Sequence, residues 1–330
     1  MHTVAMLKPP RVSVILPTLD GEQDLVRLLP ALKEQDFDGE LEIRAIDSHS
    51  TDGTRELLQR FGATIQDIPR SEFGHGSARN RCAAGSEAEF LVFLSQDAVP
   101  ADGRFLSTLL DAFQDRRVAG AYSRVLPHPE DDPLTCRTVL ELPEASDEPF
   151  VRDLDEVGGG VWDLGPEERG RYLRFNNVAS AIRNSVFREI PFPDTRFAED
   201  FAWAARALTA GHRIAFVPDS VVYHAHAYNM RSAFERYRID SAFHEQVHGW
   251  KVRPTALSAA RGFLYEVGRD MRYLAGATVP GRVRHILRSP GLRAAQVLGQ
   301  YMGSKGRSPR FWKGNDPAGS VSRGALVRKA

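Results

Sequence analysis

Cysteine is almost missing from this chain: Cys82 and Cys136 are the only two in 330 residues. Two cysteines form neither a disulfide framework nor a four-cysteine zinc site, and they suit a reducing compartment. No run of about 18 apolar residues occurs, so no segment reads as a membrane-spanning helix. The opening stretch, MHTVAMLKPPRVSVILP, lacks an apolar core of about 7–15 residues, and a secretory signal is not expected. Net charge is missing too: 43 Lys+Arg stand against 43 Asp+Glu, which argues against a protein that coats nucleic acid. No G-x-x-x-x-G-K-[ST] and no G-x-G-x-x-G follows the first strand, so P-loop nucleotide hydrolysis and classical dinucleotide binding are disfavoured. No G-x-S-x-G is present, which disfavours an α/β-hydrolase. There is no internal repeat.

The zero charge hides an uneven distribution. Lys251–Ala330 holds 16 Lys+Arg and 3 Asp+Glu, a balance of +13, and Met1–Trp250 holds 27 and 40, a balance of −13. The division suggests two parts, 1–250 and 251–330, with the second expected to meet an anionic partner.

Alternation of strands and helices dominates the first part. Val12–Leu16, Leu41–Ile46, Thr64–Ile68 and Phe90–Leu94 read as strands from their β-branched and apolar runs. Helical spacing of Leu25, Leu28, Leu29 and Leu32 marks Gly21–Gln35, and Thr54–Phe61 and Ser77–Ala84 also read as helices. Such alternation predicts an α/β fold with a mostly parallel sheet and helices on both faces. Ligands of that architecture bind beyond the carboxyl ends of the strands. Leu126–Gly170, with six prolines and Gly158-Gly159-Gly160, reads as a long irregular excursion or mobile loop. Further on, Asp200–Ala210 reads as a helix stopped by Gly211, Arg213–Val217 and Ser220–His224 as two strands, and Met230–Trp250 as a helix. Ala256–Ala277 and Arg282–Met302 are basic, partly amphipathic helices, followed by a Gly/Ser/Arg-rich tail.

Four groups of residues could carry chemistry. Asp47–Gly53 follows the second strand, where a carboxylate can accept from ribose hydroxyls or a base N–H; Asp52-Gly53 also reads as a plain turn. Asp97 follows the strongly apolar fourth strand and is a hard oxygen ligand suited to Mg²⁺ or Mn²⁺, or a helix cap. Glu199 and Asp200 open a helix, where the dipole favours acids, and either could be tuned into a general base. His224 and His226 alternate at a strand end, so both imidazoles share one face and could bind a divalent metal. His244-Glu245-Gln246-Val247-His248 matches the zinc-hydrolase H-E-x-x-H pattern, but it lies in a polar, aromatic helix and no third ligand follows at the extended spacing.

Taken in order, VSVILPTLDGEQDL, AIDSHSTDGT, FGHGSARN, FLVFLSQDAVP, FNNVASAIRNSVF and FAEDFAWAARALTAGHRIAFVPDSVVYHAH resemble a family 2 glycosyltransferase of the GT-A fold, in its bacterial rhamnosyltransferase-like branch. The resemblance runs from about Arg11 to Trp250. It implies that Pro17, Thr18, Asp20, Asp47, Ser48, Asp52, Arg79, Asn80, Gln96 and Asp97 bind a nucleotide-diphospho-sugar, and that Asp47 contacts the base. Asp97 matches the last acid of the family's D-x-D metal motif, whose first position is Ser95 here. His224, or His226, matches a metal-binding histidine. Asp200 matches the catalytic base, with Glu199 as its alternate, and Asn177 and Trp203 fall on the acceptor side. Inverting transfer of a sugar, L-rhamnose from dTDP-rhamnose by the branch, to a glycan or lipid-linked acceptor in surface polysaccharide synthesis is implied. The competing readings are a GT-A nucleotidyltransferase, which would carry a Gly-rich basic loop where this chain has PTLDGEQD, and a non-catalytic assembly protein.

Three partners suit the basic segment 251–330: an anionic membrane surface, the acidic body of the same chain, or a second copy in a homo-oligomer. A cytoplasmic location follows as an expectation, with peripheral contact at the inner face of the membrane if lipid is the partner.

Overall fold

The apolar runs of the first 130 residues become strands of one sheet, the central ones buried on both faces. In the computed structural model, which describes residues 10–158, 160–195, 198–276 and 279–306, the first part contains β1 (Arg11–Thr18), α1 (Glu22–Lys33), β2 (Glu40–Asp47), α2 (Thr54–Arg60), β3 (Thr64–Asp67), α3 (His75–Ala83), β4 (Phe90–Leu94), β5 (Val99–Pro100), α4 (Phe105–Asp111) and β6 (Val118–Leu126). The second contains α5 (Pro133–Leu140), β7 (Phe150–Arg152), α6 (Pro166–Tyr172), β8 (Ala179–Arg183), α7 (Asn184–Glu189), α8 (Glu199–Thr209), β9 (Arg213–Tyr223), α9 (Met230–Phe243), α10 (Ala256–Gly276) and α11 (Arg282–Gly303).

The sheet runs β3-β2-β1-β4-β8-β6-β9-β5, with β7 on β9. β3, β2, β1, β4, β6 and β9 point one way, and β8, β5 and β7 run against them. Side-chain alternation splits the core into two layers. Ile15, Phe93, Tyr122 and Ile182 face the layer of Phe175, Phe192 and Trp203. Val12, Val14, Leu16, Val92 and Ala181 face the layer of Leu25, Leu28, Leu29 and Leu106.

Three expectations change. The stretch read as an irregular excursion carries α5, β7 and α6 in its described residues and is tied to the body: Arg124 Nε donates to the Ala145 carbonyl (3.0 Å), Arg174 pairs with Glu144 (2.7 Å) and Arg213 with Asp153 (2.8 Å). Long-range arginine pairs replace the apolar periodicity that would have marked it. The two strands flanking Pro218-Asp219 are one strand, β9. Val217 pairs with Ser123 and Val221 with Arg124, so Pro218–Ser220 bulge out of the ladder, as a proline inside a sheet requires. The helix read over Met230–Trp250 changes at Phe243, and His244–His248 forms a π-helical turn.

The basic extension, as far as residue 306, is packed onto the body. α11 lies against α9, where a Cβ on Gly299 would sit 2.4 Å from the Phe234 carbonyl and one on Gly303 2.3 Å from that of Arg238. Leu134, Ala233, Leu274 and Leu292 form a small core between α5, α9, α10 and α11. Buried Asp270 on α10 pairs with Arg137 of α5 (2.8 Å) and Arg293 of α11 (2.8 Å). Glu266 also pairs with Arg137 (2.8 Å), Arg269 with Glu141 (2.6 Å), and Arg288 with Asp132. Arg269, Arg288 and Arg293 are therefore bound to acids of the chain itself. The remaining tail, 307–330, lies outside the described residues. No helix among the described residues is long and apolar enough to cross a membrane.

Removing one partner of a buried ion pair strands the others in low dielectric. Asp270→Ala should destabilise the protein by about 3–5 kcal/mol, read as a lowered urea midpoint.

Candidate active site

Three loops at the carboxyl edge of the sheet lock together before any ligand is considered. Asp20, after β1, accepts from the Thr51 N–H (2.8 Å) and donates its own N–H to Ser50 Oγ (2.9 Å). Asp52, after β2, accepts from the Glu22 N–H (3.0 Å), and Glu22 accepts from that of Gly53 (2.9 Å). Gln96, after β4, accepts from the Leu19 N–H (2.9 Å) and donates to Asp24 (3.2 Å). Asp20 and His49 hold left-handed backbone conformations, φ 43° and 59°; such non-glycine strain is kept where surrounding structure over-determines it.

Asp47 at the end of β2 organises this cradle. Fully buried, it accepts from Thr18 Oγ1 (2.9 Å), Ser50 Oγ (2.6 Å), the Ser50 N–H (2.9 Å) and Arg55 (3.3 Å). Burial pushes the carboxyl up, and these donors bring it below the usual carboxylate range. Its acceptor sites are all taken, so a base reaching Asp47 would have to displace a protein donor. Among the described residues, the hydroxyl of buried Ser48 beside it has no protein partner. Pro17 and Thr18 complete the β1 end.

Asp97 meets His224 and His226 by way of a two-residue strand. β9 is three places from β4 in the sheet, yet Val99 of β5 pairs with Tyr223, which carries the β4–β5 turn across to the end of β9. Asp97 Oδ2 lies 3.4 Å from His224 Nε2 and 3.7 Å from His226 Nδ1. One carboxylate oxygen and two imidazole nitrogens thus fall within 4.8 Å of one another, the only such group of three among the described residues. Burial raises the Asp97 carboxyl, and the hydrogen bond and charge of His224, with the charge of His226, outweigh it and hold it low. Burial and His224 lower His226. The donor set, half-buried and open on the His226 side, fits a divalent ion.

The start of α8 brings a second acid to the same rim. Ala198 before it is left-handed (φ 57°); Phe197 lies outside the described residues. Asp200 accepts from the Phe201 N–H (2.9 Å) and from the Asn177 backbone. Asn177 precedes Val178, whose carbonyl accepts from Ser95 (3.0 Å), so Asp200 and Asp97 border one edge. Glu199 turns inward, pairing with buried Arg79 (3.1 Å) and accepting from Asn177 Nδ2 (3.3 Å). Burial first, then the charge of Glu199, push the Asp200 carboxyl up to about 7.

Several expected site residues have other work here. Trp203 is a correction: it is fully buried, donates its indole N–H to the Ile190 carbonyl (2.9 Å) and packs on Phe175, so it cannot face an acceptor. Asn177 is buried and positions Glu199 and Asp200. Asn80 joins both ends of its amide to the Phe192 backbone (2.8 and 3.1 Å). In the H-E-x-x-H stretch, the rings of His244 and His248 lie 5.7 Å apart, but a Cβ on Gly306 would be 3.1 Å from the Glu245 carboxylate and one on Gly170 3.5 Å from His244 Nδ1, which sets acid and imidazole against different elements. Two rim residues escaped the sequence reading. Arg70 reaches Asp20 (2.9 Å) and the Ser48 carbonyl (3.2 Å). Asp24 is raised by burial and by Asp97. Arg70 lies outside the motifs of the sequence, and Asp24 lies in VSVILPTLDGEQDL without a role assigned to it.

The family profile of glycosyl transferase family 2 matches residues 13–156. Among curated proteins, the O-antigen chain rhamnosyltransferase WbaN of Salmonella anatum is 33% identical over 232 residues, 69% of this chain and 70% of that protein. The chain belongs to glycosyl transferase family 2. The O-antigen chain rhamnosyltransferase RfbN of Salmonella typhimurium is 29% identical over 80% of this chain and 81% of its own. The mannosyltransferase PcManGT from Pyrobaculum calidifontis, solved with GDP-Man and Mn²⁺, aligns with a TM-score of 0.54 at 20% identity, over 91% of this chain and 87% of that one. The shared fold is GT-A. As a family 2 glycosyltransferase this enzyme transfers sugars, and Asp200, His224 and His226 lie beyond the profile match.

A raised acid binds its proton in the folded state up to about pH 7 and in the unfolded state only up to about 3.9. Ionising Asp200 in place therefore costs stability as pH rises between those values, and the cost is complete above pH 7. Asp200→Asn should melt at a higher temperature than the parent at pH 8, with the gap closing towards pH 4, in a differential scanning calorimetry series.

Proposed function

We propose that this enzyme transfers a sugar with inversion from a nucleotide-diphospho-sugar to an acceptor hydroxyl. The observation that carries the reading is the placement of Asp200 and the Asp97–His224–His226 group along one carboxyl rim beside a preformed cradle. Asp200, ionised near neutral pH, takes the proton of the acceptor hydroxyl. The resulting oxygen attacks the anomeric carbon, the bond to the diphosphate oxygen breaks, and the diphosphate leaves with the electron pair from the opposite face. Glu199, tied to Arg79, stands beside Asp200, and its charge adds to the basicity of that carboxyl. Asp97, His224 and His226 would hold a divalent cation, which supplies positive charge to the departing diphosphate when bound. Two imidazoles in the set favour Mn²⁺ over Mg²⁺.

The donor is L-rhamnose carried by dTDP, and the acceptor a growing glycan or lipid-linked hydroxyl of a bacterial surface polysaccharide. The support is the likeness to two enzymes named as O-antigen chain rhamnosyltransferases, across more than two thirds of the chain.

Asp200→Asn should cut kcat by roughly 10²–10⁴ and leave donor affinity within a few-fold; turnover retained within a few-fold would remove Asp200 from the role. Asp97→Ala and His224→Ala should weaken calorimetric donor binding in Mn²⁺ and leave the weaker binding in EDTA unchanged. In a thermal-shift panel dTDP should stabilise the protein more than UDP or GDP, and the reverse order would overturn the rhamnose assignment.

A further inference from the structure

Once the extension has docked on the body, its outward face keeps an unusual composition. The acids of residues 251–306 are Glu266 and Asp270 alone, and both turn inward to Arg137 and Arg293. What α10 and α11 show to solvent is therefore apolar or positive. On α10 the exposed stripe is Leu257, Arg261, Leu264 and Arg272; on α11 it is Val283, Arg284, Leu287 and Leu298. Leu264 is 70% exposed and Leu287 76%. The spacing of Leu257, Arg261 and Leu264, and of Val283 and Leu287, is that of one helical face. Arg253 of the segment before α10 binds Gln300 (3.2 Å), and Asp270 binds Arg293 (2.8 Å), so the helices lie antiparallel as a hairpin.

We infer that the outward face of the α10–α11 hairpin seats the enzyme on an anionic lipid bilayer, with the leucines in the headgroup–acyl boundary and the arginines against lipid phosphates. Interfacial helices bind through buried apolar area plus attraction to anionic lipid. A second copy of this chain is a poorer occupant, because a two-fold contact would set the same arginines against one another with no outward acid to pair them. The surface lies apart from the transfer chemistry and is testable without turnover.

The test is flotation of the full-length protein with vesicles of phosphatidylcholine alone or phosphatidylcholine with 30% phosphatidylglycerol, a composition chosen to span roughly the anionic content that such surfaces need. Binding should require the anionic lipid and fall with salt. Arg261→Ala with Arg272→Ala should weaken partitioning roughly thirtyfold, at about 1 kcal/mol per charge, and Leu264→Glu with Leu287→Glu should abolish it. Both variants should keep the parent melting temperature, since these side chains face solvent. Parent-like binding by both variants would assign lipid contact to the tail beyond residue 306 and overturn the proposal. So would absence of vesicle binding combined with a concentration-dependent dimer that Leu264→Glu with Leu287→Glu dissolves.

Discussion

Of two adjacent carboxylates at the start of α8, only one is paired with the buried guanidinium of Arg79 on α3, and the rim depends on that imbalance. Arg79 pairs with Glu199, and among the described residues Asp200 has no ion partner of its own. Adjacent acids on a helix diverge in direction, so one can face inward and anchor while the other faces the rim. The anchor ties α3 to α8 across 120 residues of sequence, and Asn177 joins both acids to the β8 end. A protein selected only for stability would gain little by holding a second acid there; its ionisation works against the fold. A carboxyl that titrates near neutrality is what the arrangement provides.

The other half of the rim follows from a small piece of topology. Asp97 belongs to β4 and the two histidines to β9, strands separated by β8 and β6. The two-residue β5 closes that distance by pairing with the end of β9. Sheet order alone would keep these three donor atoms apart. The cradle is similarly prepared in advance: loops after β1, β2 and β4 bind one another through side chain to backbone hydrogen bonds, so ligand binding need not pay to order them.

Periodicity revealed the parallel half of the fold, because its strands are short apolar runs and its helices have one leucine-rich face. β6 escaped it. Val118–Leu126 carries Gly120, Ala119 and Ala121, a composition poor in β-branched residues, and the reason is tertiary: a Cβ on Gly120 would lie 2.5 Å from the Trp203 ring. The same packing explains why Trp203, expected at the acceptor side, belongs to the core. The site acids and histidines were visible as residues at strand and helix ends. Their division of labour was not, because it is set by contacts such as Arg79 with Glu199 and Arg55 with Asp47. The charge asymmetry was legible as a count, while its internal share emerged only when Arg269, Arg288 and Arg293 were found on acids of α10 and of residues 132–141.

The central claim, that burial and the neighbouring charge of Glu199 together raise the basicity of Asp200, is tested most directly by the pH dependence of kcat in the parent and in Glu199→Gln. The parent should gain activity with an apparent pKa near 7. Removing the neighbouring charge while Arg79 stays in place should move that rise to lower pH. An ascending limb at the same pH in both proteins would contradict the account.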